Sequence, residues 1–151
     1  MPDPESKMKV TMMLADAAQA VGNKLFILGG GWSITVTPTQ PTAIAIKIAV
    51  PWGEANRKHR LRLALLDDDG QAVRVPTPKG EQPLEIGGGF EVGRPPGLRP
   101  GTSIDVAMVV AVGSMPLPAD KYFVWKLTID DQSEDSWQLS FSTRSGPPQP
   151  G

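Results

Sequence analysis

The chain contains no cysteine. Disulfides, thiolate metal sites and cysteine nucleophiles are therefore excluded. It has one histidine, His59. A transition-metal site would have to be dominated by carboxylates. A serine triad would have to use His59, yet no G-x-S-x-G elbow is present to display the serine. Neither charge sign is in excess: 15 basic residues stand against 16 acidic ones, a formal net of -1. No global field draws nucleic acid or an anionic membrane surface. No run approaches the ~20 apolar residues of a membrane span. The opening MPDPESKMKV is polar and has no apolar stretch of signal-peptide length. These absences lead us to expect a cytoplasmic protein with no cofactor, no metal, no nucleic-acid partner and no membrane contact.

What is present is strand-forming sequence. At 151 residues and 40% hydrophobic composition, one domain with a real core is possible. Sixteen glycines and sixteen prolines imply many turns and leave little room for long helices. Apolar residues alternate with period two. TAIAIKIAV aligns Ile44, Ile46, Ile48 and Val50, with Ala43, Ala45, Lys47 and Ala49 expected toward water. KHRLRLAL aligns His59, Leu61, Leu63 and Leu65; KYFVWKLTI aligns Phe123, Trp125, Leu127 and Ile129. SIDVAMVVAV and SWQLSFS repeat the pattern, and KMKVTMML, NKLFIL, WSITV, AVRV and PLEI…FEV are weaker strands. Each pattern suits a strand with one face in a core. Turn signals lie between them at Gly22-Asn23, Asp69-Gly70, Pro95-Pro96-Gly97 and Pro100-Gly101. ADAAQA is the single plausible helical turn, with Asp16 as its cap.

The expected fold is all-β: a single immunoglobulin-like antiparallel β-sandwich of about eight to ten strands. It would occupy residues 7–143, after a flexible stretch 1–6 and before a disordered Pro/Gly tail, 144–151. Tyr122, at the start of a strong strand and shortly after Leu117-Pro118, suggests a tyrosine corner bonded back to the preceding loop.

The candidate chemistry is thin. Gly29-Gly30-Gly31 follows a hydrophobic run, as a phosphate loop does, but Trp32-Ser33 and a β-branched ITV come next. Without a helix there is no macrodipole and no row of free N–H groups for an anion. The cluster reads as a strand bend, and the opening as strand, turn, strand, bend, edge strand. Gly87-Gly88-Gly89 reads as a second kink. LDDDGQ fails as an EF-hand loop, having Leu65 and Pro76 where acidic ligands belong. It reads as a hairpin turn. A shared cation would require this loop and IDDQSED, Ile129–Asp135, to lie at the same end of the sandwich. His59 reads as a structural or rim residue near a strand end.

Trp125 and Trp137 are in register with leucines and read as core. Trp32 and Trp52 lie beside turns, where they would either close the open end of the sandwich or form a contact surface. RKHR, Arg57 to Arg60, adjoins Trp52.

The stretch KVTMMLADAAQAVGNKLFILGGGW resembles the opening of a widespread family of small uncharacterised bacterial proteins. Its first strand leads to AD(A/Y)A, then GKL, then a hydrophobic strand ending in glycines. Ala15-Asp16-Ala17-Ala18, Lys24-Leu25 and Gly29-Gly30 match, and Asn23 replaces the GKL glycine. HRLRLALLDDDGQAV and the LP…Y corner are similar too, so the resemblance covers roughly residues 8 to 143. It implies an immunoglobulin-like sandwich with no established activity, catalytic residues or cofactor.

The function expected is a non-catalytic binding or scaffold module, with a protein partner or self-association. Its contact surface would be Trp32, Trp52, Arg57 and Arg60. The alternative is a small-ligand or carbohydrate binder using the tryptophans as stacking platforms. Less favoured is a hydrolase based on Asp16, Glu54 or Asp67.

Overall fold

The computed structural model describes residues 7–146. The expected flexible start, 1–6, and residues 147–151 of the tail lie outside the described residues. Eleven strands follow one another: β1 (Lys9–Val21), β2 (Lys24–Gly30), β3 (Ile34–Thr37), β4 (Thr42–Val50), β5 (Lys58–Asp67), β6 (Arg74–Thr77), β7 (Gly80–Pro83), β8 (Glu85–Glu91), β9 (Ile104–Val112), β10 (Tyr122–Ile129) and β11 (Gln138–Ser145). A single 3₁₀ turn, Trp52–Glu54, joins β4 to β5. One sheet has the order β2-β1-β4-β9, the other β3-β11-β10-β5-β8, and β6 and β7 form a separate two-stranded ribbon.

The core lies between the two sheets and is filled by the alternating residues. Ile44, Ile46, Ile48 and Val50 of β4 face Leu61, Leu63 and Leu65 of β5 and Phe123, Trp125, Leu127 and Ile129 of β10 in one buried cluster. Burying each such side chain stabilises by about 1.5–3 kcal/mol. Trp125 and Trp137 are core, as their register predicts.

Several expectations are corrected. The fold is all-β with two packed sheets, as expected, and its eleven strands exceed the expected eight to ten because β7, Gly80–Pro83, pairs with the expected AVRV strand. The sheets are not wholly antiparallel: β3 pairs parallel with β11, Ser142 opposite Ile34 and Ser145 opposite Thr37. That pairing carries the domain through Arg144 and Ser145, past the expected boundary at 143. ADAAQA is strand, not a helical turn. β1 runs unbroken to Val21, since the ladder to β2 (Ala17 opposite Leu28, Ala20 opposite Leu25) outweighs the weak helix preference of six residues. Gly87-Gly88-Gly89 is no kink either. These glycines pair with Arg62, Leu61 and Arg60 within an uninterrupted β8.

Tyr122 builds no corner, being 45% exposed. The hydroxyl that ties the 118–121 loop down is that of Thr143, which donates to the Pro118 carbonyl at 2.6 Å and accepts from the Lys121 N–H at 3.2 Å. Among the described residues, no helix is long and apolar enough to cross a membrane.

Candidate functional site

The first half of β1 pairs with β4, from Lys9 opposite Ala49 to Ala15 opposite Ala43. Its second half pairs with β2 and leaves that ladder. Gly22 and Asn23 turn the hairpin, both with left-handed backbone (φ 59° and 58°). This is the two-residue turn whose twist suits antiparallel strands.

The tip does not project away from the sandwich. The Asn23 carboxamide donates to the Asp105 carbonyl at 2.7 Å and accepts from the Ala107 N–H at 2.9 Å. Both groups lie on the free edge of β9, the outermost strand of that sheet. Ala107 pairs with Lys47, four rungs back from the Ala43 rung where β1 leaves the ladder. The hairpin therefore folds back over the outer face of its own sheet.

Residue size permits this. Ala43 and Ala45, expected toward water, are 5% and 2% exposed, and Ala15 is fully buried. They lie beneath the hairpin, which needs small side chains to approach so closely. The bend is set at Asp16 and Gly29. Gly29 has φ 61°, and a Cβ there would run into the Asp16 carboxylate. At Gly30 a Cβ would come within 2.7 Å of both Met13 and Ile27. The glycine cluster thus serves the bend, as its sequence context predicts, and β3 beyond it is an edge strand.

The result is an unusual surface. No residue of β2 is buried. Of the large hydrophobic residues that stay exposed, Met13, Val21, Phe26, Ile27 and Leu28 all belong to this hairpin or its base, with Leu28 at 72%. The strand ladder puts Val21, Phe26 and Leu28 on the outward face with Ala17, Gln19 and Lys24. An apolar depression of about 620 Å³ lies along Ala17, Ala18, Gln19, Phe26, Ile27 and Leu28. A fold with a full core between two sheets has no packing need for this strip.

The other polar feature is the environment of His59, at the opposite end of β4. Its side chain is fully buried and stacks on Phe90, ring centroids 5.1 Å apart. Nε2 lies 2.8 Å from the Glu54 carbonyl, and Nδ1 2.6 Å from Asp130 Oδ2. A carbonyl only accepts, so Nε2 carries a proton. Burial works against charge on His59, but the bonds to Asp130 and Glu54 prevail and its pKa is raised. Burial likewise opposes ionisation of Asp130. Its bonds from His59 and from the Arg60 backbone N–H, with the His59 and Arg57 charges, hold its pKa below the ordinary carboxylate value. Both ring nitrogens are occupied, and the two shifts favour the charged form of each partner. Asp130 and Asp131 reach this position through left-handed backbone, φ 51° and 64°. Of the two readings of His59, structural or rim, the structure bears out the structural one: it is a buried clamp joining β5, the 3₁₀ turn and the β10–β11 turn.

The expected contact residues do not converge. Trp32 lies at the Thr42 end of β4, beside the bend, with its ring edge-on to Phe141 at 6.0 Å. Its Nε1 is buried with no hydrogen-bond partner among the described residues. Trp52 lies past the Val50 end of β4, and the Arg94 guanidinium covers its ring at 4.5 Å. A nine-residue strand, ~30 Å long, separates the two tryptophans. Trp52, Arg57 and Arg60 share one end, where Arg57 pairs with Glu54 at 2.9 Å and Arg60 with Asp131 at 3.1 Å.

The carboxylates Asp16, Glu54 and Asp67 are also apart: Glu54 and Asp67 stand at opposite ends of β5, and Asp16 lies on the other sheet. The two acidic loops cannot share a cation for the same reason. Asp67 pairs with Phe123 at one end of β10, while Asp130 follows Ile129 at the other. Asp67 Oδ1 is instead occupied in its own turn, accepting from the Asp69 and Gln71 N–H groups.

Sequence reasoning noted the hydrophobic NKLFIL and Gly22-Asn23 but missed the fold-back. The alanines of β1 and β4 were its available signal. No curated protein and no solved structure matches the chain. A family model matches residues 10–142, most of its length, and the chain belongs to that family, DUF6941, a family of unknown function.

Proposed function

We propose that the protein is a non-catalytic interaction module whose contact surface is the outward face of the folded-back hairpin. The carrying observation is the exposed strip of Val21, Phe26 and Leu28 on a strand with no buried residue. Association surfaces are built around such desolvation-prone anchors. The strip is also held in place. The Asp16–Gly29 bend fixes one end and the Asn23 clamp fixes the other, so little ordering entropy remains to be lost on binding. This surface takes the place of Trp32 and Trp52, which stand too far apart to act together.

An immunoglobulin-like arrangement is part of the proposal. The division of β1, β4 and β9 into one sheet and β5, β10 and β11 into the other parallels the A-B-E and C-F-G strands of that architecture. The hairpin would then be an addition to the first strand.

The test is a double substitution, Phe26→Ser with Leu28→Ser. Both side chains are mainly in water, so the unfolding midpoint should stay put while association with co-purifying protein is lost. Retained association would remove the assignment.

A further inference from the structure

We infer that this surface receives an extended segment of another protein, added as a new strand along the free edge of β2, with apolar side chains beside Phe26 and Leu28 and an acidic one beside Lys24. This occupant rests on the reading of the hairpin as a contact surface and adds the partner's chemistry.

β2 ends its sheet. Gly22 and Asn23, both left-handed, form the two-residue turn whose flanking pair, Val21 and Lys24, exchanges main-chain bonds. Bonded pairs then alternate along the antiparallel ladder. Lys24, Phe26 and Leu28 therefore direct their N–H and C=O groups to β1, while Leu25 and Ile27 turn theirs to the free edge. No hydrogen bond within the described residues closes those groups.

An open edge is normally guarded by shortness, charge, proline or a cover. The other outer strands are guarded. Asn23 caps β9 at Asp105 and Ala107, β3 has four residues, and β8 carries Glu85 and Glu91 at its ends. β2 has seven residues, and after Lys24 it has no charge, no proline and no buried residue.

Area and charge select a single strand as the occupant. The exposed parts of Val21, Phe26 and Leu28 amount to on the order of 300 Å², well under the ~800 Å² that each side of a standard interface contributes. Main-chain bonds supply the affinity that so small an area lacks, as in strand addition generally. Positions opposite Lys24, Phe26 and Leu28 fall in the non-bonded pairs of the new ladder, where side chains lie closest. Lys24 has no ion pair among the described residues, whereas Lys47 is paired with Asp105 at 3.8 Å. An acidic residue in the added strand complements Lys24 and fixes the register.

Selection of a random linear peptide library on the purified full chain tests this. The expected binders alternate apolar residues and carry an acidic one. With a synthetic binder present, amide exchange in the wild type should slow by about tenfold or more at Leu25 and Ile27, and far less at Phe26 and Leu28, which β1 already holds. Ile27→Pro removes one edge N–H and leaves the β1 ladder intact. It should keep the wild-type circular dichroism spectrum and lose about tenfold in binding. Lys24→Glu should weaken acidic binders several-fold at low salt, and high salt should remove the difference. A library without enriched binders, exchange unchanged at Leu25 and Ile27 in the bound wild type, or full binding by Ile27→Pro overturns the added strand. The hairpin surface itself is judged separately, by the Phe26→Ser, Leu28→Ser test against co-purifying protein.

Discussion

The carboxamide of Asn23 and the backbone N–H of Ala107, 84 residues apart in sequence, are joined by a 2.9 Å hydrogen bond. With the companion bond to Asp105, one side chain at a hairpin tip completes a strand edge on the far side of the sheet. Asn23 also tolerates the left-handed backbone that the turn needs. Asn23→Ala should therefore cost about 1–3 kcal/mol, combining the lost bonds and the strained φ. Asn23→Gly should recover the backbone share alone. In both variants hydrogen exchange of residues 17–28 should accelerate while that of β10 stays slow. Uniform acceleration would mean the hairpin is not a separately anchored unit.

Gly29 and Asp16 supply a second test. Gly29→Ala meets the Asp16 carboxylate and a φ of 61°, so it should destabilise by more than 1 kcal/mol. Asp16→Ala in the same chain should relieve the collision and leave the backbone strain. Chemical denaturation of the four variants should give a clear non-additive coupling. Simple additivity would show that the two residues do not meet.

The His59–Asp130 pair predicts a stability plateau with two edges. His59 is raised above 6.5, so its contribution is complete below that value and fades as pH rises through the folded pKa. Asp130 is lowered below 3.8, so its contribution is complete above that value and fades as pH falls through the folded pKa. Following the His59 ring proton by NMR should give a midpoint above 6.5. In Asp130→Asn the midpoint should fall. A wild-type midpoint at or below the ordinary value would contradict the ion pair.

Two apolar positions separate core from surface. Ile46 is fully buried, and Ile46→Ala should cost about 2–5 kcal/mol. Leu28 is 72% exposed, and Leu28→Ala should stay within about 0.5 kcal/mol of the wild type. Thermal or urea unfolding measures both. A large loss at Leu28 would mean that the strip belongs to the fold.

The core strands were legible because their signal is local. Ile44 to Val50 and Phe123 to Ile129 alternate cleanly, and the large apolar side chains of both runs are buried. The bend at Gly29 was legible for the same reason: glycines before β-branched residues, with no helix to follow. What escaped depends on distant partners. Ala43 and Ala45 look water-facing until a hairpin that begins in β1 folds over them. His59 reads equally as structural or rim until Asp130, 71 positions later, reaches its ring. Trp32 and Trp52 look alike beside turns, and only the run of β4 sets them at opposite ends.

The central claim is that the outward hairpin face meets a protein. The most direct measurement places a photo-reactive phenylalanine analogue at position 28 in the intact cell, with Lys126 on the opposite sheet as control. The account predicts defined adducts from position 28 and none from position 126. Absence of adducts from position 28, or equal adducts from both, would contradict it.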